Sequence, residues 1–249
     1  MNSTRSATST KAVILAAGLG SRIRPLTDNV PKSLLTIGDT TILERMLKGI
    51  YNAGISDVIL VLGYMSDKIE HVVQHSFPDM NVEVVINERY SETNTGYSLL
   101  LAADPLAGSA FVKFDADVVF DTEILRLLLA CPHENALCID RNIQLACEEV
   151  KVALADGTKV ARVSKLVAPA DAIGESIGIE KIGSATSSIL FAELRSMMER
   201  EQNLQEYYEG AYERLIDRGV AFHAIDITGM AWTEIDTLDD YAAAEKLFG

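Results

Sequence analysis

Residues 11–17, KAVILAA, run without a polar interruption into GLGSRIRPLTDNVPK. A strand that lacks apolar/polar alternation must be covered on both faces, as a central strand of a parallel sheet is covered by helices. The segments that follow keep to this plan. TTILERMLKGIYNAG (40–54) puts Ile42, Leu43, Met46, Leu47 and Ile50 on one helical face and closes on Gly54. DVILVLG (57–63) is a second buried strand, so these elements predict a βαβ unit with a long first loop. SDKIEHVVQH (66–75) reads as a helix capped by Ser66, VEVVI (82–86) as a strand, GYSLLLAAD (96–104) as a short helix and AFVKF (110–114) as a strand. The fold class expected is α/β, a Rossmann-like mixed and mostly parallel sheet flanked by helices.

The texture changes after residue 135. NALCID, EEVKVAL and TKVARVSK are short strand candidates around the hairpin turn ADGT. A helical stretch over about 185–219, a strand AFHAIDI and a last helix from Thr237 complete a small C-terminal α/β elaboration. With 249 residues, 48% of them hydrophobic, the chain can bury one large core, and a single domain over 11–249 is expected, its halves meeting near 135/136. The leader MNSTRSATST lacks the apolar stretch of a signal peptide and is expected to be a disordered polar tail over 1–10.

Composition excludes some partners. With 22 basic and 36 acidic side chains the formal charge is −14, which argues against a nucleic-acid partner but not against a small anion held by a few local cations. No apolar run reaches the ~18–20 residues of a membrane span. Cys131, Cys138 and Cys147 are odd in number and form no CxxC pair, so a reduced, cytoplasmic protein is expected. His71 and His75 stand at i, i+4 but lack a third ligand nearby and an HExxH context, and they read as helix-surface histidines.

The loop after the first strand carries the strongest chemical signal. Gly18 and Gly20 let the backbone approach a ligand, and its free N–H groups make an anion-binding concavity. Arg22 offers a planar fork for phosphate oxygens and Lys32 a compact charge on a flexible stem, while Pro25 and Pro31 restrict the loop. A Walker A loop is absent, and the dinucleotide fingerprint lacks its third glycine, because Gly20 is followed by Ser21, Arg22 and Ile23. A lone GxG would suit an ordinary βα turn with solvated arginines; the attached arginine, proline and lysine pattern argues for more. Farther on, Asp115 and Asp117 of KFDADVVFD leave a strand at the carboxyl edge of the sheet, where open α/β sheets bind ligands. Asp121 is better placed than either to cap the following helix. In AWTEIDTLDDY, Thr237 and Asp240 form a capping-box pattern, with Asp236 just ahead of the helix.

ILAAGLGSRIRPLTDNVPKSLL resembles the LAAGxGxRxxPxTxxxPK signature of nucleotidyltransferases that activate sugar phosphates and alcohol phosphates. The resemblance implies a GT-A-like nucleotidyltransferase fold from Lys11 onward, with a nucleotide-binding half over about 11–135 and an acceptor-binding half over about 136–249. It implies that the backbone of Leu15, Ala16, Ala17 and Gly18 meets base and ribose. Gly20, Ser21 and Arg22 would hold the outer phosphates, and Lys32 the reacting ones. Arg22 and Lys32 are the candidate catalytic residues, Asp115 a candidate nucleotide contact, and Asp117 and Asp236 the candidate ligands of Mg²⁺. The stretch NTGYSLLLA resembles the CTP-using branch that acts on phosphocholine, inositol-1-phosphate or aminoalkylphosphonates. It nominates Asn94, Thr95 and Ser98 for the nucleotide, though Ser98 also suits a plain first-turn helix position.

For the acceptor, a small phosphate or phosphonate, the candidates are Lys151, Lys165, Glu206, Glu209, Tyr208 and Tyr212. Both lysines equally suit a solvated strand edge, and a tyrosine stripe of this kind is more often a helix face packed on the sheet with its glutamates solvated. Aromatic faces beside carboxylates would suit a cationic head such as choline or an aminoethyl group. Asp140 and Arg141 leave polyols and amino acid phosphates open as acceptors, and sugar-1-phosphates with UTP, dTTP or GTP remain the alternative. The sequence leaves the oligomeric state open, a homodimer included.

Overall fold

The computed structural model describes residues 10–106, 108–142, 145 and 148–249. Residues 1–9 of the tail expected over 1–10, and Cys147, lie outside the described residues. From the N-terminus come β1 (Lys11–Ala16), the short hairpin β2 (Thr36–Ile37) and β3 (Thr40–Thr41), α1 (Ile42–Asn52), β4 (Asp57–Leu62), α2 (Ser66–Ser76) and β5 (Asn81–Ile86). Then follow α3 (Thr95–Leu101), α4 (Ala103–Leu106), β6 (Phe111–Asp115), β7 (Val118–Phe120), α5 (Thr122–Ala130) and β8 (Ala136–Asp140). The second half adds β9 (Lys151–Asp156), β10 (Lys159–Ser164), β11 (Gly174–Ile182), α6 (Ser184–Arg195), α7 (Tyr208–Asp217), β12 (His223–Asp226), β13 (Trp232–Glu234) and α8 (Leu238–Phe248).

One nine-stranded sheet runs through both halves in the order β5-β4-β1-β6-β11-β8-β12-β10-β9. The strands of the first half are parallel, with Ile14 opposite Leu60 on one side and Phe114 on the other. β11 then enters antiparallel to both β6 and β8, and β9 folds back to pair with its start. Side chains of β1 alternate between two cores: Ala12 and Ile14 pack with α1, α2 and α5, whereas Val13 and Leu15 pack with α3, α6 and α7. This double covering is why the run KAVILAA carries no polar face.

Local signals act as expected at α1, whose Thr41 and Glu44 form a reciprocal capping box, and at α8, where Thr237 and Asp240 do the same. Asp121 caps α5. Ser66 does not cap α2. It is the first helical residue, and the cap position falls to Met65 in a left-handed conformation with no side-chain bond. The helical stretch expected over 185–219 is also divided: α6 passes into a π-helical turn at Ser196–Arg200, the chain leaves the helix, and α7 starts anew at Tyr208. No helix among the described residues is long and apolar enough to cross a membrane.

Candidate active site

A cavity of about 1050 Å³ opens at the carboxyl edge of β1 and β6. That volume is at the upper end for small-molecule sites and has room for two ligands side by side. The loop after β1 forms one wall through Leu15, Ala16, Ala17, Gly18, Gly20, Ser21, Arg22 and Lys32. A Cβ at Gly18 would meet no atom within 4 Å, so this stretch of backbone faces open space. Gly20 adopts φ +59°, and a side chain there would press on Thr27 and on the Cβ of Lys32. Thr27 Oγ1 donates to the Gly20 carbonyl at 2.7 Å. The left-handed turn therefore folds the loop back on itself and brings Lys32 beside the glycines.

Asp117 and Asp236 are 119 positions apart in the chain, and a two-stranded sheet joins them. β13 pairs antiparallel with β7, Glu234 opposite Val118, and the Ile235 N–H donates to the Asp117 carbonyl at 3.0 Å. Lys32 Nζ donates to Asp117 Oδ2 at 2.8 Å and to Asp236 Oδ1 at 2.6 Å, and Arg22 reaches Asp236 Oδ2 at 2.7 Å. Burial opposes the charge on Lys32, yet the two carboxylates outweigh it and hold the ammonium above its usual range. Burial likewise opposes ionisation of Asp117, and Lys32 more than offsets it, leaving that carboxyl below its usual range. Glu234, which no sequence motif nominated, completes a triad in which one carboxylate oxygen from each residue lies within 4.8 Å of the other two. The residue as a whole is exposed, but desolvation of its carboxyl and the charges of Asp117 and Asp236 push it up to about 9. Three hard oxygen donors suit Mg²⁺, and the buried Oδ1 of Asp117, which accepts no hydrogen bond, fits a cation-binding role. The residues present thus fit the ion that the resemblance implies.

A second lysine lies deeper. Lys113 on β6 is fully buried, with Nζ 2.7 Å from Asp115 Oδ2, 3.0 Å from Glu180 Oε2 and 3.6 Å from the centre of the Tyr208 ring. The Tyr208 hydroxyl donates to Asp115 Oδ2 at 2.8 Å. Glu209 follows on α7, buried, its Oε2 without a hydrogen-bond partner. Burial pushes Glu180 up to about 8 and Glu209 to about 7, Lys113 opposing both, and burial raises Asp115 as well. Gly178, at φ +75° in the bulged part of β11, abuts the Asp115 carboxylate so closely that a Cβ would overlap it.

Asn94, Thr95 and Ser98 line the same cavity. Asn94 caps α3 by accepting from the Thr95 N–H, and Ser98 accepts from Asn87 Nδ2, so each has a structural bond of its own. Of the acceptor candidates, Lys165, Tyr208 and Glu209 are on the wall; Lys165 Nζ sits 4.9 Å over the Tyr207 ring. Tyr207, exposed and on that wall, was not expected there. The others fall elsewhere. Tyr212 is sealed in the core against Tyr208 and Phe222, the outcome its helical spacing equally allowed. Lys151 is buried, donating to the Glu149 carbonyl, and Glu206 binds Asn203 and the Tyr207 N–H at the approach to α7; neither is a wall residue. Asp140 lines the cavity and accepts from Trp232 Nε1 at 2.8 Å, whereas Arg141 turns to Asp226. His71 and His75 stack on the exposed face of α2.

Comparison with known proteins adds three findings. The family model described as Nucleotidyl transferase matches residues 11–143. A CMP-5'-(3-aminopropyl)phosphonate synthase from Streptomyces rubellomurinus is 29% identical over 96% of this chain, and a choline-phosphate cytidylyltransferase from Streptococcus pneumoniae is 36% identical over 42% of it. These alignments span 38% and 44% of the two relatives' own lengths. Among solved structures, that of the CTP:phosphocholine cytidylyltransferase from Streptococcus pneumoniae superposes with a TM-score of 0.76 at 23% identity, covering 96% of this chain and 99% of that one.

Proposed function

The chain belongs to the nucleotidyl transferase family, and from that premise we propose that it transfers CMP from CTP to a small phosphorylated or phosphonylated alcohol, with release of pyrophosphate. One observation carries this reading: Arg22 and Lys32 from the first loop meet Asp117 and Asp236, from distant parts of the chain, in a single cavity. An anionic oxygen of the acceptor attacks the α-phosphorus. A new P–O bond forms, the bond to the bridging oxygen of the pyrophosphoryl group breaks, and its electron pair leaves with pyrophosphate. The nucleophile is already ionised, so no general base is required.

Both reactants are anions, and the barrier is repulsion and alignment. Gly18 and Gly20 admit the phosphates close to the backbone. Arg22 and Lys32 offset charge on the outer phosphates and on the leaving group. Asp117 and Asp236, with Glu234 beside them, would hold Mg²⁺, which supplies Lewis-acid neutralisation of phosphate oxygens when bound. The Asn94–Ser98 turn faces the nucleotide end of the cavity. At the acceptor end, Tyr207 and Tyr208 stand with Glu209, Glu175 and Asp140 on the wall. That combination suits a cationic head, and two relatives bear names of phosphocholine and aminoalkylphosphonate chemistry. Phosphocholine and 2-aminoethylphosphonate are accordingly the preferred acceptors.

Pyrophosphate release, measured for CTP, UTP, dTTP and GTP against phosphocholine, 2-aminoethylphosphonate, inositol-1-phosphate and glucose-1-phosphate, tests the proposal. CTP with a cationic acceptor, phosphocholine or 2-aminoethylphosphonate, is expected to be fastest. Faster release from UTP or dTTP with glucose-1-phosphate, or none from any pair, would refute it.

A further inference from the structure

Lys32 stands where a metal ion would be expected. Its ammonium engages Asp117 Oδ2 and Asp236 Oδ1, while Arg22 engages Asp236 Oδ2. Three of the four oxygens on these two carboxylates are therefore held by the chain's own cations. Two bases face the two carboxylates of Asp117 and Asp236, so their charges balance, where a divalent ion is drawn in by net negative charge. A metal arriving alone would meet the ammonium at close range and find only Asp117 Oδ1 of these four oxygens without a partner.

A triphosphate changes the balance, because it offers Lys32 and Arg22 other anions. The four-carbon stem of Lys32 allows its head to swing by a few ångströms without moving the backbone. The Arg22 side chain is 61% exposed and equally able to turn.

We propose that Lys32 occupies the divalent-cation seat in the nucleotide-free protein and vacates it for the phosphates, so that metal and nucleotide each promote binding of the other. Linkage requires both effects to be equal in size. The exchange rests on the proposed function only for the identity of the nucleotide; the claim about the seat stands on Lys32, Asp117 and Asp236 alone.

The test uses Mn²⁺ as a paramagnetic probe, titrated into the nucleotide-free protein and followed by the electron paramagnetic resonance signal of the free ion. Wild type is expected to bind one Mn²⁺ weakly. Lys32→Met and Lys32→Gln are expected to bind one ion per chain at least tenfold more tightly, although each removes a group assigned to catalysis. Adding Asp117→Asn to Lys32→Met should abolish that gain. A CTP analogue with a methylene α,β-bridge should bind wild type at least tenfold more tightly with Mn²⁺ than without, and show a smaller ratio in Lys32→Met. If both Lys32 variants bind Mn²⁺ no better than wild type, or the gain survives Asp117→Asn, the exchange is wrong. Failure of the analogue to bind any variant would instead overturn the CTP reading, with the metal-only result still deciding the exchange.

Discussion

Lys32 and Lys113 each bridge two carboxylates in one cavity region, Asp117 with Asp236 in the first case and Asp115 with Glu180 in the second. Asp115 and Asp117 are two residues apart, so the two clusters are neighbours. They differ in access. The Lys32 side chain, at the start of a 3-10 turn over Lys32–Leu34, retains 14% of its exposure, and its acids retain 20–25%. Lys113 is completely enclosed, under the Tyr208 ring and beside a Glu180 that is 1% exposed. Water and ligands can replace the partners of the first lysine but not those of the second. Similar ion-pair distances therefore support opposite roles: an exchangeable charge at the rim, and a fixed one that ties α7 to β6.

Substitution should separate these roles. Lys32→Met is expected to lower kcat by roughly 10³-fold, the scale on which a lost donor to transition-state charge is felt, with little change in urea midpoint. A loss of turnover matched by an equal loss of stability would erase the distinction. Lys113→Met should do the reverse and cost about 3–5 kcal/mol in urea unfolding, because it leaves Asp115, Glu180 and Glu209 buried without their cation. Adding Glu180→Gln should restore part of that loss.

The pH dependence gives a third contrast. Glu175, buried on β11, is pushed up to about 7 by burial and by Glu149 and Asp140, against Lys151 and Lys165. With a folded-state pKa above the ordinary 4.5, the folded protein holds the proton more tightly. Its contribution to stability should then fall as pH rises from about 4.5 to 7 and stay level above. Glu175→Gln should remove roughly 1–3 kcal/mol of that decline, read as urea midpoints at pH 5 and pH 8. Smallest of all, Tyr208→Phe keeps the ring over Lys113 but loses the bond to Asp115, for about 1 kcal/mol.

How legible these features are in the sequence follows from how local they are. The first loop was readable because Gly18, Gly20, Arg22 and Lys32 share one short segment. Asp117 stood out by its place at a strand end, but its sharing of one site with Asp236 emerged only through the family resemblance, since their convergence depends on β7 pairing with β13 across more than a hundred residues. Glu234 was missed for that reason: nothing near TEID reveals that its carboxyl faces Asp117. Lys113 was missed because a lysine within a strand reads as a surface residue, and its partners Glu180 and Tyr208 come from β11 and α7. Tyr212 shows the opposite error. Its i, i+4 spacing from Tyr208 is real, yet the ring turns into the core while its neighbour's hydroxyl reaches Asp115.

Nucleotidyl transfer itself can be followed by phosphorus-31 NMR of the protein incubated with CTP, Mg²⁺ and 2-aminoethylphosphonate or phosphocholine. The expected spectrum loses the three CTP resonances and gains pyrophosphate, together with two coupled signals from a new phosphoanhydride joining CMP to the acceptor. CTP left intact, or converted to CDP and inorganic phosphate with the acceptor resonance unchanged, would contradict the account.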